Sequence, residues 1–143
     1  MQLPDVNVLL YAYDTTSRSH PAARRWLESA LAEAAVVGFA PVVLLGFLRL
    51  ATSARVYANP MPVPEAFDVV ESWLQFPQAV MLEPGPRHLG IMRSLLEPIG
   101  TAANLTTDAH LGALAIEHNA ELVSFDNDFA RFPGVRWTMP TVP

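Results

Sequence analysis

The chain has 143 residues, of which 51% are hydrophobic, and its 14 acidic and 9 basic residues give a formal net charge of −5. This length can bury enough apolar surface for one compact domain, so we expect a single domain over residues 1–143. The absence of cysteine excludes disulfides, thiolate chemistry and cysteine-ligated metal sites, which leaves oxygen and nitrogen groups for any catalysis.

The acidic total argues against a polyanionic partner, although all 9 basic residues are arginine. Arginine grips phosphate with a planar fork, so a local phosphate-binding patch is compatible with the composition. The lack of lysine equally fits a GC-rich genome. The N-terminal apolar run has no preceding basic region and is too short to span a membrane, which predicts a soluble, cytoplasmic protein.

Apolar stretches alternate with helical patterns along the first half of the chain. Residues 3–10 predict a short strand that passes into a helix near Tyr11, and residues 20–35 have helical spacing. Residues 36–40 predict a buried strand. Pro41 suits the first turn of a helix that continues to Thr52.

The same alternation continues in the second half. We predict helices over residues 64–76, 87–97 and 106–118 and strands over residues 79–82 and 120–125, with residues 135–138 as a candidate fifth strand. The pattern predicts an α/β fold in which helices flank a mostly parallel sheet of four to five strands. In such sheets the functional site lies at the carboxyl ends of the strands.

Aspartates occur where predicted elements begin or end. Asp5 lies near the end of the first strand, Asp108 lies in the first turn of a helix, and Asp126 and Asp128 follow the fourth strand. If the first strand continues to Asn7, the period of two places Asn7 on the same face as Asp5. If the first and fourth strands are neighbours, these carboxylates converge in one cleft.

Carboxylates that converge in a cleft repel one another unless their pKa values rise or a cation neutralises them. A ligand set made only of oxygen favours hard cations such as Mg²⁺ or Mn²⁺. That arrangement suits metal-assisted hydrolysis of a phosphodiester. Taken singly, each aspartate is also compatible with an ordinary helix cap or turn residue.

Other chemistries fit the sequence less well. The stretch DNDFAR begins like a calcium loop but continues with Ala130 and Arg131 where a ligand and a glycine are required. The four histidines include no pair at the spacing of four that a zinc protease helix needs, and His110 is expected to be a surface or lining residue. There is no GxSxG, Walker or GxGxxG motif.

Four segments of the sequence resemble a known family: DVNVLLYA, GFLRLAT, EPGPRHL and NLTTDAHLGALAIEHNAELVSFDNDFARF. They look like the VapC-type PIN-domain ribonucleases, the toxins of type II toxin-antitoxin pairs, over nearly the whole chain. The resemblance implies a PIN-like fold and a metal-dependent endoribonuclease that uses Mg²⁺ or Mn²⁺. It places the metal ligands at Asp5, Asp108 and Asp126 and a further catalytic carboxylate at Asp128.

The resemblance also implies neighbours for this site and partners for the protein. Asn7 and Ser124 match polar positions beside the ligands, and Arg49 and Arg131 are candidate contacts to RNA phosphate. The expected partners are an RNA substrate, a VapB-like antitoxin whose tail blocks the acidic cleft, and a second copy of the chain in a homodimer.

The sequence departs from the family pattern at one position. PIN nucleases commonly carry a glutamate on the helix after the second strand, whereas PVVLLGFLRLAT has no acid and the nearest equivalent is Leu44. This loss favours an alternative, a catalytically silent PIN domain that binds RNA or an antitoxin without cleavage. A phosphatase-like hydrolase with Asp5 as nucleophile is a third hypothesis, weakened by asparagine rather than aspartate at position 7.

Overall fold

The structure is a computed structural model that describes residues 1–33 and 35–143. Its described part contains five parallel strands: β1 Gln2–Pro4, β2 Val37–Phe39, β3 Ala79–Met81, β4 Glu121–Val123 and β5 Trp137–Thr138. They form one sheet in the order β3-β2-β1-β4-β5. The predicted fold class, an α/β architecture with a parallel sheet, is confirmed.

Six α-helices are present in the described residues: α1 Val6–Tyr11, α2 His20–Ala32, α3 Pro41–Ala51, α4 Val63–Leu74, α5 His88–Leu96 and α6 Thr106–Glu117. Short 3-10 helices cover Ala103–Leu105 and Asn127–Arg131. The predicted helix over residues 20–35 ends at Ala32 instead, and Ala34, on its predicted face, lies outside the described residues. No helix among the described residues is both long and apolar enough to cross a membrane.

The first strand is shorter than the sequence predicts. Strand β1 ends at Pro4, and α1 begins at Val6 rather than near Tyr11 because the Asp5 side chain caps the helix through the Val6 N–H. Val8, Leu9 and Leu10 are all buried. A short apolar run that is buried on every side has no periodicity that separates a strand from a buried helix.

The apolar face that the sequence predicts on α4 also differs from the face that is buried in the structure. Phe67 and Leu74, which were expected to face the core, are exposed. The buried residues of this helix are Ala66, Val70 and Trp73. Trp73 stacks parallel to Phe39 of β2 at a centroid distance of 6.0 Å, so the helix packs on the sheet through a face rotated from the predicted one.

The sheet order creates a switch point between β1 and β4. Successive strands β1, β2 and β3 extend the sheet in one direction, and the chain then returns to place β4 on the other side of β1. The register pairs Pro4 with Val123, and the Asp5 N–H donates to the Val123 carbonyl at 2.8 Å. The residues that follow these two strands therefore meet in the crevice where ligands bind in open α/β sheets.

Candidate active site

Asp5 is the most buried carboxylate of the candidate site, with only 7% of its surface exposed. It lies between the end of β1 and the start of α1, in extended backbone conformation. Its Oδ1 accepts from the Val6 N–H at 2.7 Å, and its Oδ2 accepts from the Ser124 hydroxyl at 2.7 Å. Both oxygens are therefore held in fixed positions.

Ser124 and Asn7 join the ends of β1 and β4. The fully buried Ser124 hydroxyl accepts from Asn7 Nδ2 at 3.1 Å and from the Asp126 N–H at 3.0 Å. Asn7 Nδ2 also lies 3.3 Å from Asp5 Oδ2, and its Oδ1 accepts from the Phe125 N–H at 3.1 Å. Asn7 reaches this position from the first turn of α1, so the predicted strand spacing between Asp5 and Asn7 is wrong although the two side chains do meet.

Asp126 begins the 3-10 helix Asn127–Arg131. Its side chain caps that helix by accepting from the Asp128 N–H at 2.9 Å. Phe129 of the same turn is fully buried and holds it against the core. The spacing of two between the aspartates thus places both carboxylates in one tight turn beyond β4, and both are half-buried.

Asp108 approaches from the first turn of α6. Carboxylate oxygens of Asp108, Asp126 and Asp128 lie within 4.8 Å of one another. These three aspartates are called the carboxylate cluster below. The convergence predicted from the sheet topology is confirmed for them, and Asp5 adjoins the cluster through Ser124 and Asp126.

The electrostatics reflect this crowding. Burial, together with the negative charges of Asp126, Asp5 and Asp128, raises the pKa of Asp108 to about 6. Burial likewise raises the pKa of Asp5, against the lowering effect of its hydrogen bonds from Ser124 and Val6. Within residues 1–33 and 35–143, none of the four carboxylates forms an ion pair. An external cation is the group that would relieve this repulsion.

The donor set fits a hard divalent cation. The cluster offers only oxygen ligands, which suit Mg²⁺ and Mn²⁺ better than softer metals. The distances within the cluster allow a single ion to contact more than one carboxylate. Asp5, with both oxygens already hydrogen-bonded, is fixed more firmly than the others.

The remaining residues predicted for the site lie outside this hydrogen-bonded set. Arg49, in the last turn of α3, and Arg131, at the end of the 3-10 helix after β4, are exposed. Leu44, the nearest equivalent of the missing glutamate, is buried in the hydrophobic core. No sequence pattern pointed to Tyr11, whose ring packs at 5.5 Å on Phe125 beside the aspartate turn.

An all-parallel α/β sheet with an aspartate cluster at its carboxyl edge is the architecture that the sequence motifs predicted for a PIN domain. The family model for the PIN domain matches residues 3–135. The chain therefore belongs to the PIN domain family.

The chain is also similar to individual proteins of known name. The chain is 51% identical over 140 residues to ribonuclease VapC37 of Mycobacterium tuberculosis, covering 98% of this chain and 97% of the relative. It is 46% identical to ribonuclease VapC33 of the same organism, with 98% of each chain covered. The VapBC2 complex of Rickettsia felis, solved with a DNA fragment from its promoter, contains a chain of the same fold, with a TM-score of 0.72, 15% identity and 98% of each chain covered. The resemblance to VapC-type PIN proteins is thus confirmed.

Proposed function

We propose that this chain is a metal-dependent endoribonuclease and the toxin of a VapBC-like toxin-antitoxin pair. The observation that carries the proposal is the carboxylate cluster, whose oxygens lie within 4.8 Å of one another at the carboxyl edge of the sheet. The names of the similar VapC ribonucleases support RNA as the substrate. The VapBC2 complex supports a VapB-like antitoxin as the partner.

We assign the site residues two kinds of role. We assign Asp5, Asp108 and Asp126 as ligands of Mg²⁺ or Mn²⁺ and Asp128 as the carboxylate that orients the attacking water. When bound, the cation offsets phosphate charge and makes water a better nucleophile. Water attacks phosphorus and passes a proton to a carboxylate of the cluster. The bridging P–O bond breaks, and the leaving ribose oxygen takes up a proton from solvent. Ser124 and Asn7 position Asp5 and the turn at Asp126 through their hydrogen bonds.

Two alternative functions are supported to different degrees. The silent PIN domain is favoured by Leu44, because one carboxylate fewer reduces the charge that holds a cation. The phosphatase-like hydrolase is disfavoured by position 7, where asparagine stands in place of the aspartate that would act as the acid.

Further properties follow as part of the proposal. Residues 1–143 form one PIN-like domain, which the continuous core from Leu3 to Phe132 supports. We place the protein in the cytoplasm, where RNA is available. Exposed Arg49 and Arg131 contact RNA phosphate, and the homodimer stays a prediction to be checked by the molar mass of the purified chain.

The decisive experiment is an RNA cleavage assay on the chain purified without antitoxin. We expect cleavage that requires Mg²⁺ or Mn²⁺, that disappears in the folded Asp5→Asn, Asp126→Asn double variant, and that an added VapB-like antitoxin suppresses. Asp68→Asn, an exposed aspartate on α4, is the matched control and should cleave like the parent. RNA binding without cleavage by the folded parent would favour the silent PIN domain, and phosphate release from small esters would favour the phosphatase.

A further inference from the structure

A concave site lies near the C-terminal end of α1, the helix that Asp5 caps at its N-terminal end. It is an open cavity of about 580 Å³ between the α1–α2 turn, the end of α3 and the α3–α4 loop. We call it the tyrosine pocket and define it by six of its lining residues: Tyr13, Asp14, Phe47, Tyr57, Asn59 and Glu65. It contains none of the four aspartates assigned above.

The pocket and Asp5 lie at opposite ends of one short helix. Leu10 lines the pocket and lies five residues after Asp5, which at 1.5 Å per residue is about 8 Å along the axis of α1. Tyr11 of the same helix packs on Phe125, which directly precedes Asp126. The hydroxyl of Tyr11 and the carboxylate of Asp14 both act on the pKa of Tyr57, so Tyr57 lies near both residues.

The aromatic walls are fixed by packing. Tyr13 packs against Phe47 at 6.1 Å and Trp73 at 5.9 Å, and its hydroxyl accepts from the Trp73 indole N–H at 3.3 Å. The Arg24 guanidinium covers the ring at 5.4 Å. These contacts hold Tyr13 in place as one wall of the pocket. Tyr57, which has no aromatic partner among the described residues, is the ring on which a single-stranded RNA base can stack.

The polar groups of the pocket include donors as well as acceptors. Asp14 is held at Oδ1 by the N–H and hydroxyl of Thr16, at 3.0 and 2.6 Å, which leaves Oδ2 available. The side chains of Tyr57, Asn59 and Glu65 make no hydrogen bond within the described parts of the chain. Burial raises the pKa of Tyr57, and Asp14 and Tyr11 raise it further, so the phenol remains a donor at neutral pH.

These groups discriminate between possible occupants. Among the residues that the structure describes, no arginine lines the pocket, so it lacks the planar cationic fork that grips phosphate. A guanidinium or ammonium side chain would satisfy the two carboxylates but leave the Tyr57 hydroxyl and Asn59 amide donors unused. A nucleobase has polar edges that donate and accept hydrogen bonds and a flat face that can stack. Guanine presents an amino group and an adjacent ring N–H to carboxylates, while its O6 and N7 accept hydrogen bonds.

We infer that the tyrosine pocket binds a guanine base of the RNA, beside the phosphodiester that the carboxylate cluster cleaves. The ring lies against Tyr57, and Asp14 and Glu65 accept from its N1–H and amino group. The inference rests on the proposed ribonuclease function for its role in cleavage. The binding of the base itself is independent of catalysis.

The test measures the binding of the base and the cleavage of RNA separately. Binding of guanosine, inosine and uridine to the full-length chain without metal is measured by tyrosine fluorescence and NMR. We expect guanosine to bind about tenfold more tightly than inosine, which lacks the amino group, and the difference to disappear in an Asp14→Asn, Glu65→Gln variant. The asparagine in this variant retains the oxygen that accepts from Thr16, and Glu71→Gln, an exposed change on α4 outside the pocket, is the matched control.

A cleavage arm uses a single-stranded RNA with one guanine, compared with the same RNA carrying inosine at that position. The inference predicts that inosine reduces cleavage near that position by about tenfold for the parent and not for the double variant. If neither inosine in the RNA nor the double variant changes cleavage, the inference is overturned, and the proposed ribonuclease function still stands. Guanosine binding without any RNA cleavage overturns the proposed function alone. Failure to bind guanosine, with binding of an arginine-containing peptide instead, overturns the inference in favour of a protein ligand.

Discussion

The Ser124 hydroxyl donates a hydrogen bond of 2.7 Å to Asp5 Oδ2, across 119 positions of the sequence. The same oxygen accepts from the Asp126 N–H, so one buried hydroxyl fixes the carboxylate after β1 and the turn after β4. Both strands deliver their next residues to this point because they pair in parallel with Pro4 opposite Val123.

Removing this hydroxyl tests its positioning role. Ser124→Ala removes the acceptor of the Asp126 N–H and leaves Asp5 Oδ2 with the longer contact to Asn7 Nδ2, and we expect a loss of about 1–3 kcal/mol in the free energy of unfolding. Metal-dependent cleavage should fall about tenfold or more because the carboxylates lose their orientation. Chemical denaturation and cleavage rates measure the two effects. Ser94→Ala, whose exposed hydroxyl bonds only to the Ile91 carbonyl, should change neither.

The raised pKa of Asp108 predicts how stability depends on pH in the metal-free protein. The folded carboxyl holds its proton up to about pH 6, whereas the unfolded one loses it near 3.8. The folded state therefore binds more protons between these values, and this group's contribution to stability falls as pH rises through that window and is constant above it. Thermal unfolding from pH 4 to 7.5 measures this effect, and in Asp108→Asn the decrease should be smaller.

The same proton competes with the metal. Cation binding requires the ionised carboxylate, so lowering the pH from 7.5 to 5 should weaken Mn²⁺ affinity about tenfold through Asp108. Isothermal titration calorimetry at the two pH values gives the ratio. An affinity that is equal at both pH values would contradict the placement of Asp108 among the ligands.

Leu44 stands where PIN nucleases commonly carry a glutamate, and it lies in the hydrophobic core. The side chain is 6% exposed and belongs to the core, so Leu44→Glu would bury a charge and should cost roughly 3 kcal/mol in the metal-free protein. Leu45→Glu, at a position 66% exposed, should be nearly neutral. If Leu44→Glu unfolds at the parent's denaturant midpoint and also binds Mn²⁺ more tightly, the position faces the cluster rather than the core.

Gly112 and Gly90 both lie in helices but differ in the space around them, so the same substitution can be compared at the two positions. A Cβ at Gly112 of α6 would lie 3.1 Å from Val135 and 3.3 Å from Leu95, whereas a Cβ at Gly90 of α5 would meet nothing within 4 Å. Gly112→Val should therefore destabilise the protein by about 1–3 kcal/mol through overpacking. Gly90→Val should stay within about 0.5 kcal/mol of the parent. Equal denaturant midpoints for the two variants would show that α6 can shift without cost.

A buried network joins α6 to the loop after β3. Glu117 accepts from the Gly85 N–H at 2.9 Å and lies 2.6 Å from His88 Nδ1, while His88 Nε2 lies 2.8 Å from His110 Nδ1. Glu117→Gln should cost about 2 kcal/mol because the buried partners lose a charged acceptor. The exposed Glu97, paired with Arg93, is the control, and Glu97→Gln should cost less than about 0.5 kcal/mol.

Parts of the fold and of the site could be predicted from the amino-acid sequence alone. Alternating apolar runs predicted the parallel sheet, and aspartates at element boundaries marked its carboxyl edge before any contact was known. The helix α6 and its first-turn Asp108 were predicted correctly from the spacing of Leu111, Leu114 and Ala115. Where an apolar run was buried on every side, as in residues 3–10, periodicity was lost and the start of α1 was misplaced.

Tertiary structure decided everything that depends on which segments become neighbours. The order of the strands placed Ser124 against Asp5, and the packing of α5 on α6 brought His110, expected at the surface or lining a cleft, into contact with His88. The tyrosine pocket has walls from three segments that are separate in the sequence. The sequence by itself determined which residues carry charge and which faces are apolar, because those properties are local. Distances between carboxylates, the raised pKa values of Asp5 and Asp108 and the shape of the pocket arise only when long-range packing excludes water, which no local pattern encodes.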